Sequence, residues 1–133
     1  MAAREAGNRI KTPVVLIADD DLFIRNLLKK LVPEPAEFIE VSDGTCVCDA
    51  YKQHNPLLVF LDMHMPGADG IKIVKDLLAY DSKAYIVIIS ADGSRENVSA
   101  SVVSGAKCFL GKPLDPKRVA AEVKNALTQK TGG

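Results

Sequence analysis

Apolar residues along the chain follow two alternating rhythms. Short unbroken runs such as "VVLIA" (14–18) and "YIVII" (85–89) alternate with segments where apolar residues recur every three or four positions. The first rhythm predicts strands buried on both faces, and the second predicts helices with one side on a core. A strand is expected at Val14–Ala18. In the following "DLFIRNLLKKLVP", Ile24, Leu27, Leu28 and Leu31 mark one helix face. Asp21 is placed to cap that helix and Pro33 to stop it. "AEFIEV" (36–41) predicts a weaker strand, Asp43-Gly44 a turn, and residues 45–53 a helix of blurred period. "LLVFLD" (57–62) is a third strand. Asp69 should cap the helix "GIKIVKDLLAY" (70–80), with Ile71, Val74, Leu77 and Leu78 inward. "AYIVIIS" (84–90) is a fourth strand, rich in β-branched residues. Ser94 and Gly105 bracket the next helix, and "AKCFLG" (106–111) is the fifth strand. The last helix starts at Pro116 behind Asp115, with Val119, Val123 and Leu127 on its inner face.

Five strand–helix units imply an α/β domain with a doubly wound parallel sheet covered on both faces. The domain is expected over 13–129, with tails at 1–12 and 130–133. A chain of 133 residues, 47% of them apolar, has the material for one core. A domain of this size buries roughly two thirds of its unfolded surface. Seventeen basic residues balance seventeen acidic ones. Direct nucleic-acid or membrane binding would call for clustered basic charge, so both are disfavoured. No apolar run approaches the roughly 20 residues of a membrane span. "MAAREAGNRIKTP" has no signal-peptide core, which points to the cytoplasm. Cys46, Cys48 and Cys108 form no disulfide framework. Cys46-x-Cys48 near His54 lacks a fourth ligand at zinc spacing.

The chemistry gathers at the strand ends. Strand one ends at Asp19 and Asp20, strand three at Asp62 and strand four at Ser90. Lys112, before Pro113, follows strand five. Taken singly, each has an ordinary reading as a cap, a turn residue or a solvated side chain. In a doubly wound sheet they share the carboxyl edge, where ligands bind. Crowded carboxylates raise one another's pKa, and hard oxygen ligands suit magnesium, with manganese possible. Acids beside one ammonium and one hydroxyl suit phosphoryl transfer, with one carboxylate left as nucleophile.

On "IADDD" (17–21), "LDMHMPGADG" (61–70), "IISA" (88–91) and "GKP" (111–113), the chain resembles response regulator receiver domains, chemotaxis regulators among them. The resemblance implies a flavodoxin-like (βα)5 fold with strand order 2-1-3-4-5. It implies that Asp62 accepts a phosphoryl group from a histidine kinase or phosphotransfer protein, in a two-component phosphorelay. Magnesium would be held by Asp19, Asp20, Asp62 and the His64 backbone carbonyl, with Asp20 the more direct ligand and Asp19 acting through water. Ser90 would be the switch hydroxyl, Phe109 the aromatic switch residue, and Lys112–Pro113 a cis peptide. His64 and Asp92 would modulate hydrolysis of the acyl phosphate. A downstream protein or output domain would read the fourth helix, fifth strand and fifth helix. The chain would be a signalling module, a monomer or weak dimer, catalysing only its own phosphorylation and dephosphorylation.

One departure is plain: Phe109 lacks the hydroxyl of the family's switch tyrosine, so its switching would rest on packing. Two other functions compete. Asp19-x-Asp21 after an apolar strand also suits a haloacid-dehalogenase-type phosphohydrolase, though no late acidic pair follows Lys112. A phosphate-independent docking module would not need the full set of acids, hydroxyl and lysine.

Overall fold

The computed structural model describes residues 12–131. Most of the expected N-terminal tail, and residues 132–133 of the C-terminal one, lie outside the described residues. The strands are β1 (Val14–Ala18), β2 (Glu37–Val41), β3 (Leu58–Asp62), β4 (Ile86–Ser90) and β5 (Cys108–Gly111). The helices are α1 (Leu22–Leu31), α2 (Val47–His54), α3 (Gly70–Tyr80), α4 (Arg95–Ser104) and α5 (Pro116–Thr131). A short 3-10 turn at Gly44–Cys46 leads into α2, so the blurred period there reflects two helix types in succession. All strand pairs are parallel, in the order β2-β1-β3-β4-β5 expected of the resemblance.

Burial follows position in the sheet. β3 and β4, covered on both faces, have all five residues buried, whereas the edge strands β2 and β5 are half-exposed. The two-residue period of the strands divides the core. Val15, Ile17, Phe60, Val87 and Ile89 pack with α1 and α5. Leu16, Val59, Leu61, Ile86 and Ile88 pack with α2 and α3.

The caps read from sequence are in place. Asp21 accepts from the Phe23 N–H at 2.9 Å and Asp69 from the Ile71 N–H at 3.1 Å. Ser94 Oγ accepts from the Asn97 N–H at 3.3 Å, and Gly105 ends α4 at φ 104°. Two expectations need correction. On α5, Ala126 is buried along with the expected Val119 and Val123, whereas Leu127 is 40% exposed beside a hollow lined by Pro13, Val32 and Pro35. On α3, Ile73 is buried where Ile71 and Leu78 are only partly so. The two helix faces share a cause: a face placed by spacing alone is uncertain by a residue or two, at about 100° of rotation per residue. α5 itself runs from Pro116 to Thr131.

Candidate functional site

Register places the site residues. Ala18 pairs with Leu61, so Asp19 and Asp62 come one step later, side by side at the carboxyl edge. Asp62 pairs with Ile89 and Ser90 with Gly111, which brings Ser90 and Lys112 to the same edge. The Lys112 N–H donates to the Ser90 carbonyl at 2.9 Å, fixing the two strand ends together. The Lys112–Pro113 peptide is cis.

Carboxylate oxygens of Asp19, Asp20 and Asp62 lie within 4.8 Å of one another. Asp19 is fully buried, Asp62 is 6% exposed, and Asp20 faces solvent. The Lys112 ammonium is 3.0 Å from Asp19 Oδ2 and 3.8 Å from Asp62 Oδ1. Asp19 Oδ1 accepts from the Asp21 N–H at 2.8 Å. Asp19 Oδ2 is buried with no aligned hydrogen-bond donor, so its partner is the lysine charge alone. Three acids against one ammonium leave formal negative charge in a half-closed cleft. Burial pushes the Asp62 carboxyl above the usual carboxylate range. Asp19 adds to the rise, while the His64 N–H and Lys112 oppose it. An all-oxygen cluster with surplus negative charge suits a hard divalent cation.

Around this cluster the loops are held closely. His64 N–H donates to Asp62 Oδ1 at 3.3 Å. Gly70 opens α3 against Met63, where an added Cβ would fall 2.7 Å from the Met63 carbonyl oxygen. Gly67 sits at φ 94°, a region that favours glycine. Ser90 is fully buried, and its Oγ accepts from the Asp92 N–H at 3.0 Å. Phe109 is partly buried against the core cluster that includes Ile88, its register partner. Asp92 is two residues beyond Ser90; its carboxylate accepts from the Ser94 N–H.

Two residues escaped the sequence reading. Arg25 on α1 donates to the Asp19 carbonyl at 2.8 Å and to Glu40 Oε1 at 2.9 Å, tying the acidic edge to β2. Its place on the polar side of α1, one turn after the acidic run, was the available signal. Asn97 on α4 reaches both Asp92 and His64; nothing local marks it. Asp21, the second acid of the phosphohydrolase pattern, is an exposed cap of α1, and Asp115 caps α5 through the Lys117 N–H. No helix among the described residues is long and apolar enough to cross a membrane. Among those residues no metal-binding cluster includes the cysteines.

The family model for the response regulator receiver domain matches residues 15–124. The chain is 36% identical over 115 residues to the chemotaxis protein CheY of Bacillus subtilis, covering 85% of this chain and 96% of that protein. It is 32% identical over 118 residues to sporulation initiation phosphotransferase F of the same organism, covering 88% and 95%. A CheY-like receiver domain protein from Methanospirillum hungatei superposes with a TM-score of 0.84 over 92% of this chain and all of that one. At 20% identity that likeness concerns the fold alone.

Proposed function

The chain belongs to the response regulator receiver family, and from that premise we propose that it is a phosphoacceptor signalling switch with Asp62 as the acceptor. The observation that carries this reading is the setting of Asp62. It is a nearly buried carboxylate at a strand end, 3.8 Å from the Lys112 ammonium and clustered with two further acids.

Asp20, Asp62 and the His64 carbonyl would hold magnesium directly, with Asp19 behind a water. Asp19 suits that indirect role because Asp21 and Lys112 already engage its oxygens. When bound, the ion supplies positive charge to the Asp62 carboxylate and to the incoming phosphoryl oxygens. An oxygen of Asp62 attacks phosphorus in line, and the phosphorus–nitrogen bond of the donor phosphohistidine breaks. Lys112 neutralises charge on the transferred group. Ser90 gives up the Asp92 N–H and donates its own O–H to a phosphoryl oxygen.

That movement draws the β4–α4 loop toward Asp62 and leaves room for Phe109 to turn inward. It shifts the population between two packings of α4, β5 and α5, the face that a downstream protein or output domain reads. At the start of α1, next to Asp20, Leu22 and Phe23 are exposed, Phe23 at 70%. These apolar side chains suit contact with a kinase or phosphotransfer protein. The reading places the chain in the cytoplasm, where such donors work.

Incubation with magnesium and acetyl phosphate, followed by intact mass, tests the proposal. One labile phosphoryl adduct is expected, absent in Asp62→Asn and after chelation. An adduct that persists in Asp62→Asn overturns it. So does sustained phosphoester turnover that depends on Asp19.

A further inference from the structure

Asn97 reaches beyond its own helix. Its side-chain Nδ2 donates to the Asp92 carbonyl oxygen at 3.1 Å and lies 3.4 Å from Nε2 of His64, on the loop after β3. The Asp92 contact decides which way the amide points. A carbonyl oxygen accepts only from the NH2 end, and a flipped amide would set two oxygens against each other. Nδ2 can only donate, so a hydrogen bond between the two side chains uses His64 Nε2 as acceptor, which requires the tautomer with its proton on Nδ1.

These contacts run as a chain from Asp62 to Ser90. Asp62 Oδ1 accepts from the His64 N–H, and the His64 side chain meets Asn97. Asn97 holds the Asp92 carbonyl, and the Asp92 N–H donates to Ser90 Oγ. Little apolar packing competes with this chain of contacts at the start of α4. The buried residues of that helix are Ser101 and Ser104, which bond back to the Asn97 and Ser101 carbonyls, while Val102 and Val103 face outward.

We propose that Asn97 is a positioning residue that sets the lifetime of the phosphoryl group by holding His64 against α4 and so closing one side of the cleft to water. The inference rests on the reading of Asp62 as acceptor. In the hydrolysis, a water oxygen bonds to phosphorus and the phosphorus–oxygen bond to Asp62 breaks. Inorganic phosphate leaves with the water's protons, and the Asp62 carboxylate is restored. Asn97 touches no reacting atom and acts through His64.

Two measurements test this. The protein is charged with acetyl phosphate and magnesium, the donor is removed, and adduct decay is followed by intact mass. Asn97→Ala is expected to decay about three- to tenfold faster than wild type, the scale of one lost hydrogen bond. In a His64→Ala background the same substitution adds nothing, because the partner is gone. A wild-type rate in Asn97→Ala, or equal acceleration in both backgrounds, overturns the proposal. The second measurement is the imidazole 15N spectrum of the unphosphorylated protein at about pH 8, where an ordinary histidine is neutral. His64 should show an unprotonated Nε2, lost to a tautomer mixture in Asn97→Ala. A protonated Nε2 in wild type overturns the link itself. Failure to form any adduct, with the tautomer as stated, would instead overturn the acceptor reading, and the proposed role with it.

Discussion

α3 and α4 follow the strands that end at Asp62 and Ser90, yet they are built on opposite plans. α3 turns Ile73, Val74 and Leu77 into the core and opens on Gly70, pressed against Met63. α4 buries Ser101 and Ser104 and leaves Val102 and Val103 in solvent, Val103 at 81%. Each apolar side chain buried on α3 contributes about 1.5–3 kcal/mol; the α4 serines offer hydroxyls bonded to their own helix. One helix is anchored in the core behind Asp62, and the other follows Ser90 with few buried apolar side chains. An element with few buried apolar contacts is one that opens locally and changes packing at low cost.

The largest effect should come from breaking the fixed side. Leu77→Ala removes a fully buried side chain and should cost about 2–5 kcal/mol in urea unfolding. Val103→Ala on α4 should stay within about 0.5 kcal/mol. Equal costs would erase the contrast. Gly70→Ala comes next. Its Cβ would press on Met63 backbone, which cannot yield as a side-chain tip could. A loss of about 1–3 kcal/mol is expected, with slower adduct formation because the shifted loop begins at Met63, directly after Asp62.

The charge on the fixed side gives a smaller effect with a defined sign. Burial, then the Asp19 charge, raises the pKa of Asp62. A carboxyl with a raised folded pKa stabilises the fold fully only below its unfolded pKa, about 3.9. That contribution is lost as pH rises through the folded value. Ionised Asp62 therefore weighs against the fold at neutral pH. Asp62→Asn should raise the urea midpoint at pH 7, with the gain fading toward about pH 4 and shrinking when magnesium is added. A midpoint lowered at pH 7 would contradict this. The smallest effect is on α4 itself: Ser104→Ala should stabilise by up to about 0.5 kcal/mol through helix propensity. A loss above about 1 kcal/mol would mean that the Ser104 hydroxyl anchors the helix.

The contrast also marks what was legible in the sequence. Strand ends of a parallel sheet converge by topology, so Asp19, Asp62, Ser90 and Lys112 could be placed together without knowing any distance. α1 and α3 announced themselves through apolar periodicity. In α4 the serines and valines carry no helical stripe, so its caps located the helix but not its inner face. Asn97 and His64 are 33 positions apart in sequence, and no local pattern connects them. Arg25 looked like one more charge on a polar face until its contact with the Asp19 carbonyl was seen.

Hydrogen exchange along the chain, with and without acetyl phosphate in the presence of magnesium, tests the account most directly. Before phosphorylation, α4 amides should exchange faster than those of α3. Phosphorylation should change exchange in the β4–α4 loop, α4 and β5 while leaving the middle of α3 unaltered, and Asp62→Asn should abolish the change. A uniform response, a response centred on α3, or one that survives in Asp62→Asn would contradict a switch that is fixed at Asp62 and free at α4.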